Sequence, residues 1–137
     1  MTGAVNVQTA VYSALNSDSS LGDLVEAIYD YAPQDEVTGD GGFPYLVIGE
    51  DTAAPWDRDD STGAEWTIAL HSWSRYRGQK EIKQIQDACY DVLNRASLSV
   101  TGFHLVTVEW EFSESLLDPD GLTHHGVQQY RIRLQTA

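Results

Sequence analysis

A single cysteine in 137 residues, Cys89, leaves no partner for an internal disulfide and excludes a four-cysteine zinc site. No stretch approaches the roughly 20 apolar residues that a bilayer-spanning helix needs, and no membrane partner is expected. The opening MTGAVNVQTAVYSAL lacks a basic segment, an apolar run and a cleavage site, so it does not read as a signal peptide. Bases are scarce. Eight Lys and Arg stand against 21 Asp and Glu, a net charge of −13. Tight nucleic-acid binding needs cations that displace counterions from phosphates, and this balance argues against it.

What is present is ordinary for a globular chain: 42% hydrophobic and 21% charged residues, in a length that suits one domain over 1–137, expected to assemble in a cytoplasm. The charge is unevenly placed. Residues 1–65 hold 13 acids and one base, Arg58, while residues 66–137 hold 8 acids and 7 bases. One strongly acidic surface is implied, serving either solubility or the repulsion of DNA and the choice of a partner.

Two helices are legible. Val7, Ala10, Val11, Ala14 and Leu15 recur at the spacing of an amphipathic helix, ended by Asn16-Ser17-Asp18-Ser19-Ser20. From about Gln79 to Arg95, Ile82, Ile85, Cys89, Val92, Leu93 and Ala96 share one face, with Lys83–Asp87 and Asp91–Arg95 as outer ion pairs. Strands are expected at Tyr45–Ile48, Trp66–Trp73, Val106–Phe112 and Gln129–Leu134, with a weaker one near Ala27–Tyr31. In the third of these Val106, Val108, Trp110 and Phe112 should point inward; in the last, Tyr130, Ile132 and Leu134. Setting Glu109 opposite Arg133 and Glu111 opposite Arg131 satisfies charge, burial and a turn centred on Gly121. The fold class that follows is α+β: a largely antiparallel sheet of four to five strands with two main helices on one face.

No catalytic set is complete. Cys89 lies on an apolar helix stripe, where a buried hydrophobe is the simplest reading. His124 and His125 are adjacent in an extended segment and point to opposite sides, and Asp118-Pro119-Asp120-Gly121 is a strong turn without any ion. His71 and His104 look isolated. Asp57-Arg58-Asp59-Asp60 lacks the glycine and final glutamate of a calcium loop and reads as a solvated acidic loop. Gly39, Gly41 and Gly42 precede no Lys-Ser/Thr and form no phosphate cradle. No metal or cofactor is expected, and the chain does not read as an enzyme.

Interface candidates stand out instead. Two long loops are expected, Pro33–Phe43 and Asp51–Ala64, the second carrying Trp56 after Ala-Ala-Pro. Trp56, with the acids Asp57, Asp59 and Asp60, suits a contact with another molecule. Arg75, Arg77, Lys80 and Lys83 form the one basic cluster, and Lys80 sits where the helix dipole disfavours positive charge. That cluster is either a solvated helix start or a partner surface; an acidic loop of a neighbouring copy would suit it.

Four segments in order carry a resemblance that runs over essentially the whole chain. They are Tyr29-Asp30-Tyr31-Ala32-Pro33 after the first helix, Phe43–Glu50, Leu70–Arg75 leading through Gly78 into Glu81–Ile85, and Asp118–Gly126 before the last strand. With these the chain resembles the tail terminator, or tail-completion, proteins of siphophages and gene-transfer-agent particles. The resemblance implies a structural virion protein at the head-proximal end of a tail, assembled in a bacterial host. It implies a homo-oligomeric ring, commonly a hexamer, that ends tail-tube polymerisation and meets a head-proximal connector or stopper protein. DNA would pass through the lumen without specific binding. A head-closure protein, or less readily a cytoplasmic α+β ligand-binding domain or enzyme, remains the alternative.

Overall fold

The computed structural model describes residues 3–30 and 42–136. Helix α1 (Ala4–Asn16) buries Val7, Ala10, Val11 and Leu15, the stripe its spacing predicts. The polar run after it does more than end the helix. Asp18 accepts a hydrogen bond from the Leu21 amide at 2.9 Å and so caps a second, short helix α2 (Ser19–Leu24), which the sequence reading missed. Helix α3 (Lys80–Leu93) buries Ile82, Ile85, Cys89 and Leu93. It stops before Arg95, whose backbone turns left-handed at φ 59°, so Asp91 and Arg95 are not a helical i, i+4 pair.

Five strands follow: β1 (Ala27–Tyr29), β2 (Tyr45–Pro55), β3 (Gly63–Ser74), β4 (Phe103–Leu117) and β5 (His124–Thr136). Their order across the sheet is β1-β2-β3-β5-β4, antiparallel except for the β1–β2 pair. The α+β class, the strand number and the two main helices are as expected. The long loop expected over Asp51–Ala64 is largely strand, because Thr52–Pro55 pair with Ala64–Thr67 and only residues 56–62 connect them. The loop expected over Pro33–Phe43 lies mostly outside the described residues.

The core forms between the helices and one sheet face. On it Trp66 pairs with Ile132 and Ile68 with Tyr130, and these pack against Val11, Leu15, Ile85 and Leu93. Each such side chain contributes roughly 1.5–3 kcal/mol by leaving water. Helix α3 comes so near β5 at Gly126 that a Cβ there would lie 2.8 Å from Ile82 Cγ2 and 2.6 Å from Ser72 Oγ. Among the described residues the opposite sheet face carries no helix.

β4 and β5 are antiparallel neighbours, but the register expected for them is wrong by two residues. Thr107 faces Arg133, Glu109 faces Arg131 and Trp110 faces Tyr130. Two departures from symmetry about Gly121 explain it. The hairpin closes with Leu117 opposite His124 rather than His125, and a bulge between Trp110 and Phe112 adds the second residue. A two-residue slip keeps faces, so Val108 stays in the core as expected. Val106, Trp110 and Phe112 do not. They are 42%, 43% and 41% exposed, against the expectation that they point inward. Val106 sits in a second bulge, Trp110 faces the helix side of an edge strand, and Phe112, past its bulge, pairs with Gln129 on the helix-free face.

Candidate assembly surfaces

Along β3 the sequence runs from an acidic turn to a basic connection, and the strand holds them apart. The turn before Gly63 is fixed by Trp56 N–H to Gly63 O at 3.0 Å and Gly63 N–H to Asp57 Oδ1 at 3.0 Å. Asp57 is therefore engaged in shaping the turn, while Asp59 and Asp60 stand exposed at its tip. Trp56 does not project freely: the guanidinium groups of Arg58 and Arg133 lie 5.5 and 5.4 Å from its ring centre. Past the other end of β3, Arg75 lies half-buried, 4.5 Å over the Phe43 ring and bonded to Thr123 Oγ1 at 3.2 Å. Arg77 and Lys80 are exposed. The seven candidates thus fall into two groups, separated by a 12-residue strand that spans roughly 35–40 Å. The structure does not bring them together within one subunit.

The helix-free face holds a cluster that sequence reasoning missed. Trp73 stacks on His125 with ring centres 3.8 Å apart and planes 6° from parallel. His71, read as isolated, bonds through Nδ1 to His125 Nε2 at 2.8 Å and through Nε2 to Glu50 Oε1 at 2.5 Å. A carboxylate only accepts, so His71 Nε2–H donates to Glu50, and the direction of the His71 Nδ1–His125 Nε2 bond follows from the tautomers of the two rings. The bond to His71 holds the Glu50 carboxyl below its ordinary pKa. Burial, and then the His71 ring, lower that of His125. Tyr45 continues the cluster through Phe43 and Tyr29. The sole signal available was period two on β3, which puts His71 and Trp73 on one side; that His125 joins them depends on the β3–β5 register.

The remaining candidates resolve locally. His124 and His125 do point to opposite faces, pairing with Ser74 and Trp73 positions of β3. Asp120 accepts from the Leu122 and Thr123 amides at 2.8 Å each and from Thr123 Oγ1 at 2.7 Å, which lowers its pKa to about 2. It is a turn residue. Burial first, and then Asp18, push the Cys89 thiol up to about 12, the opposite of what a nucleophile needs. Among the described residues no group of three or more His, Cys, Asp or Glu is arranged to hold a metal ion.

The family model of the tail completion protein gp17 matches residues 9–135. The chain belongs to this family. A tail completion protein is a structural component of the virion tail, and the match spans almost the whole chain. A relative, the tail completion protein gp17 of Bacillus phage SPP1, is 25% identical over 128 residues, covering 93% of this chain and 91% of its own. A chain from the virion of a native gene transfer agent particle has the same fold. It superposes with a TM-score of 0.83 at 23% identity, over 93% of each chain.

In this tail completion protein the segments that carried the resemblance converge. Phe43 and Tyr45 open β2, Trp73 closes β3, Asp118–Thr123 form the β4–β5 turn, and all lie at the end of the sheet where α3 begins. Ser74 Oγ bonds Glu81 Oε1 there at 2.6 Å, tying β3 to the first turn of α3. The Tyr29–Pro33 segment is described only as far as Asp30.

Proposed function

We propose that this chain closes the head-proximal end of a tail tube as a ring of identical subunits. The ring ends tube polymerisation and offers its other face to the connector or stopper. The observation that carries the reading is the opposition of charge along one strand. Asp59 and Asp60 stand at one end of β3, and Arg77 and Lys80 at the other. Copies arranged with their sheets side by side present Asp59 and Asp60 on one ring face, and on the other Arg77 and Lys80 beside the Asp118–Asp120 turn. A ring that joins two different partners needs unlike faces. The net charge of −13 supports a lumen past which DNA slides without being held.

Four of the seven candidate interface residues are partner-facing in this reading. Asp59 and Asp60 form one rim and Arg77 and Lys80 the other, while Trp56, Asp57 and Arg75 shape the turns behind them. The test is direct. Purified protein added to polymerising tube protein should stop elongation and leave a terminal ring in negative-stain images. Arg77→Glu with Lys80→Glu should leave the subunit folded and block one of the two junctions, since exposed charges add little to stability. Tubes that lengthen unchecked in the presence of the protein would contradict the reading.

A further inference from the structure

The two lateral edges of the sheet carry unlike apolar surfaces, and we infer that they close the ring: the β4 edge of one subunit packs into the groove between α1 and β1 of the next. This rests on the ring reading above and adds which surfaces make it. Of the ten exposed large apolar side chains among the described residues, six lie on β4 and the turn after it. Trp110 is central, edge-on to Tyr90 at 5.6 Å, with Val106 bulged out beside it. A half-exposed Trp–Tyr pair is the kind of anchor that dominates interfaces.

The β4 backbone itself is already occupied. Val108 O accepts from Arg95 N–H at 2.8 Å, Trp110 N–H donates to Asn94 Oδ1 at 3.0 Å, and Glu114 O accepts from Gln86 Nε2 at 2.9 Å. Another strand cannot add along these groups, so the edge offers side chains. Lys83 and Arg95 flank the aromatic pair: Gln79 and Gln86, on either side of Lys83 along α3, both bond β4 residues. Asp87 and Asp91 face the α2 side of the helix instead.

At the other lateral edge, Val5, Tyr12, Ile28 and Tyr29 line a groove of about 590 Å³ with Asp30 at its rim. Val5 is 75% exposed. Glu26 and Asp30 are exposed on either side of β1, and no base precedes Arg58 in the chain. On its helix side the apolar ridge is flanked by bases, the β4 acids Glu109, Glu111 and Glu114 lying on the other sheet face, and its complement, an apolar groove flanked by acids, is on the opposite edge of the same molecule. Such a pair is heterologous and repeats from copy to copy until it closes, whereas two like edges across a twofold axis would set base against base. That complementarity selects a second copy as the occupant.

The experiment uses assembled particles whose subunits carry both Tyr12→Cys and Trp110→Cys, treated with a short bismaleimide. The pair should give a ladder of cross-linked multimers ending at the closed ring, and neither single variant should. Cys89 is buried and does not compete. Trp110→Asp should weaken ring formation by at least about thirtyfold, the least that a hot-spot anchor costs. A closed ring by mass with no ladder from the pair, and Trp110→Asp subunits entering it like the parent, would overturn this contact while the ring reading stands. Trp110→Cys coupling to a tube or connector chain instead would also overturn it. Subunits found singly in the particle, with no closed oligomer, would remove the ring reading and this contact together.

Discussion

Glu50, His71 and His125 come from three strands and form one hydrogen-bonded chain against Trp73, so the protonation of a small group is coupled to the packing of one sheet face. The His125 pKa lies below its ordinary 6.5 in the folded state, so the unfolded chain takes up that proton first. Stability from this ring is fully present above pH 6.5 and is lost as pH falls through the folded value. Glu50, lowered from 4.5, adds a second loss in the same direction below about pH 4.5. Thermal melting between pH 7.5 and 5 should therefore show a falling midpoint, with a shallower slope in His125→Phe. Equal slopes in the two proteins would show that His125 does not titrate as described. Gly49→Ala should disrupt the same chain, because a Cβ there would lie 2.5 Å from His71 Cδ2. At this scale the sequence shows single-residue chemistry well. Cys89 on an apolar stripe and the opposed His124 and His125 could be read directly, whereas His71 meets His125 only through pairing 54 residues apart.

Among the elements, α1 and α3 are written in plain periodicity, since a helix repeats within one segment and needs no partner to be recognised. Strand limits are harder, because pairing decides them. Thr52, Ala54 and Pro55 look like a loop, yet they are held in β2 by β3. The β4–β5 register failed for a related reason: a bulge leaves no mark that charge pairing can detect. The ion pairs survive the slip in altered form. Arg131 bonds Glu111 across the bulge, and Arg133 bonds Glu65 at 2.7 Å while lying 4.0 Å from Glu109. Two further substitutions probe the elements. Asp18→Ala removes the α2 cap and should cost about 1 kcal/mol in denaturant unfolding. Gly126→Ala forces α3 away from β5 and should cost roughly 1–3 kcal/mol. A neutral Gly126→Ala variant would mean that α3 does not approach β5 as described.

At the scale of the whole molecule, one sheet separates four surfaces: the end with Asp59 and Asp60, the end with Arg77 and Lys80, an apolar ridge and an apolar groove. The uneven charge of the sequence implied one acidic surface, whereas the described acids of residues 1–65 are spread over α2, β1, β2 and the turn before Gly63. The apolar edges were not legible in the sequence. Val106, Trp110 and Phe112 alternate like core residues, and the exposure of these side chains in the single subunit separates a core pattern from an interface pattern. The central claim is that copies of this tail completion protein form the closing ring of a tail. A cryo-electron-microscopy map of the assembled particle tests it most directly. A closed ring of identical copies is expected at the head-proximal end of the tube, with the β4 edge of each against α1 and β1 of the next. A map with the fold in isolated copies, or away from that end of the tail, would contradict it.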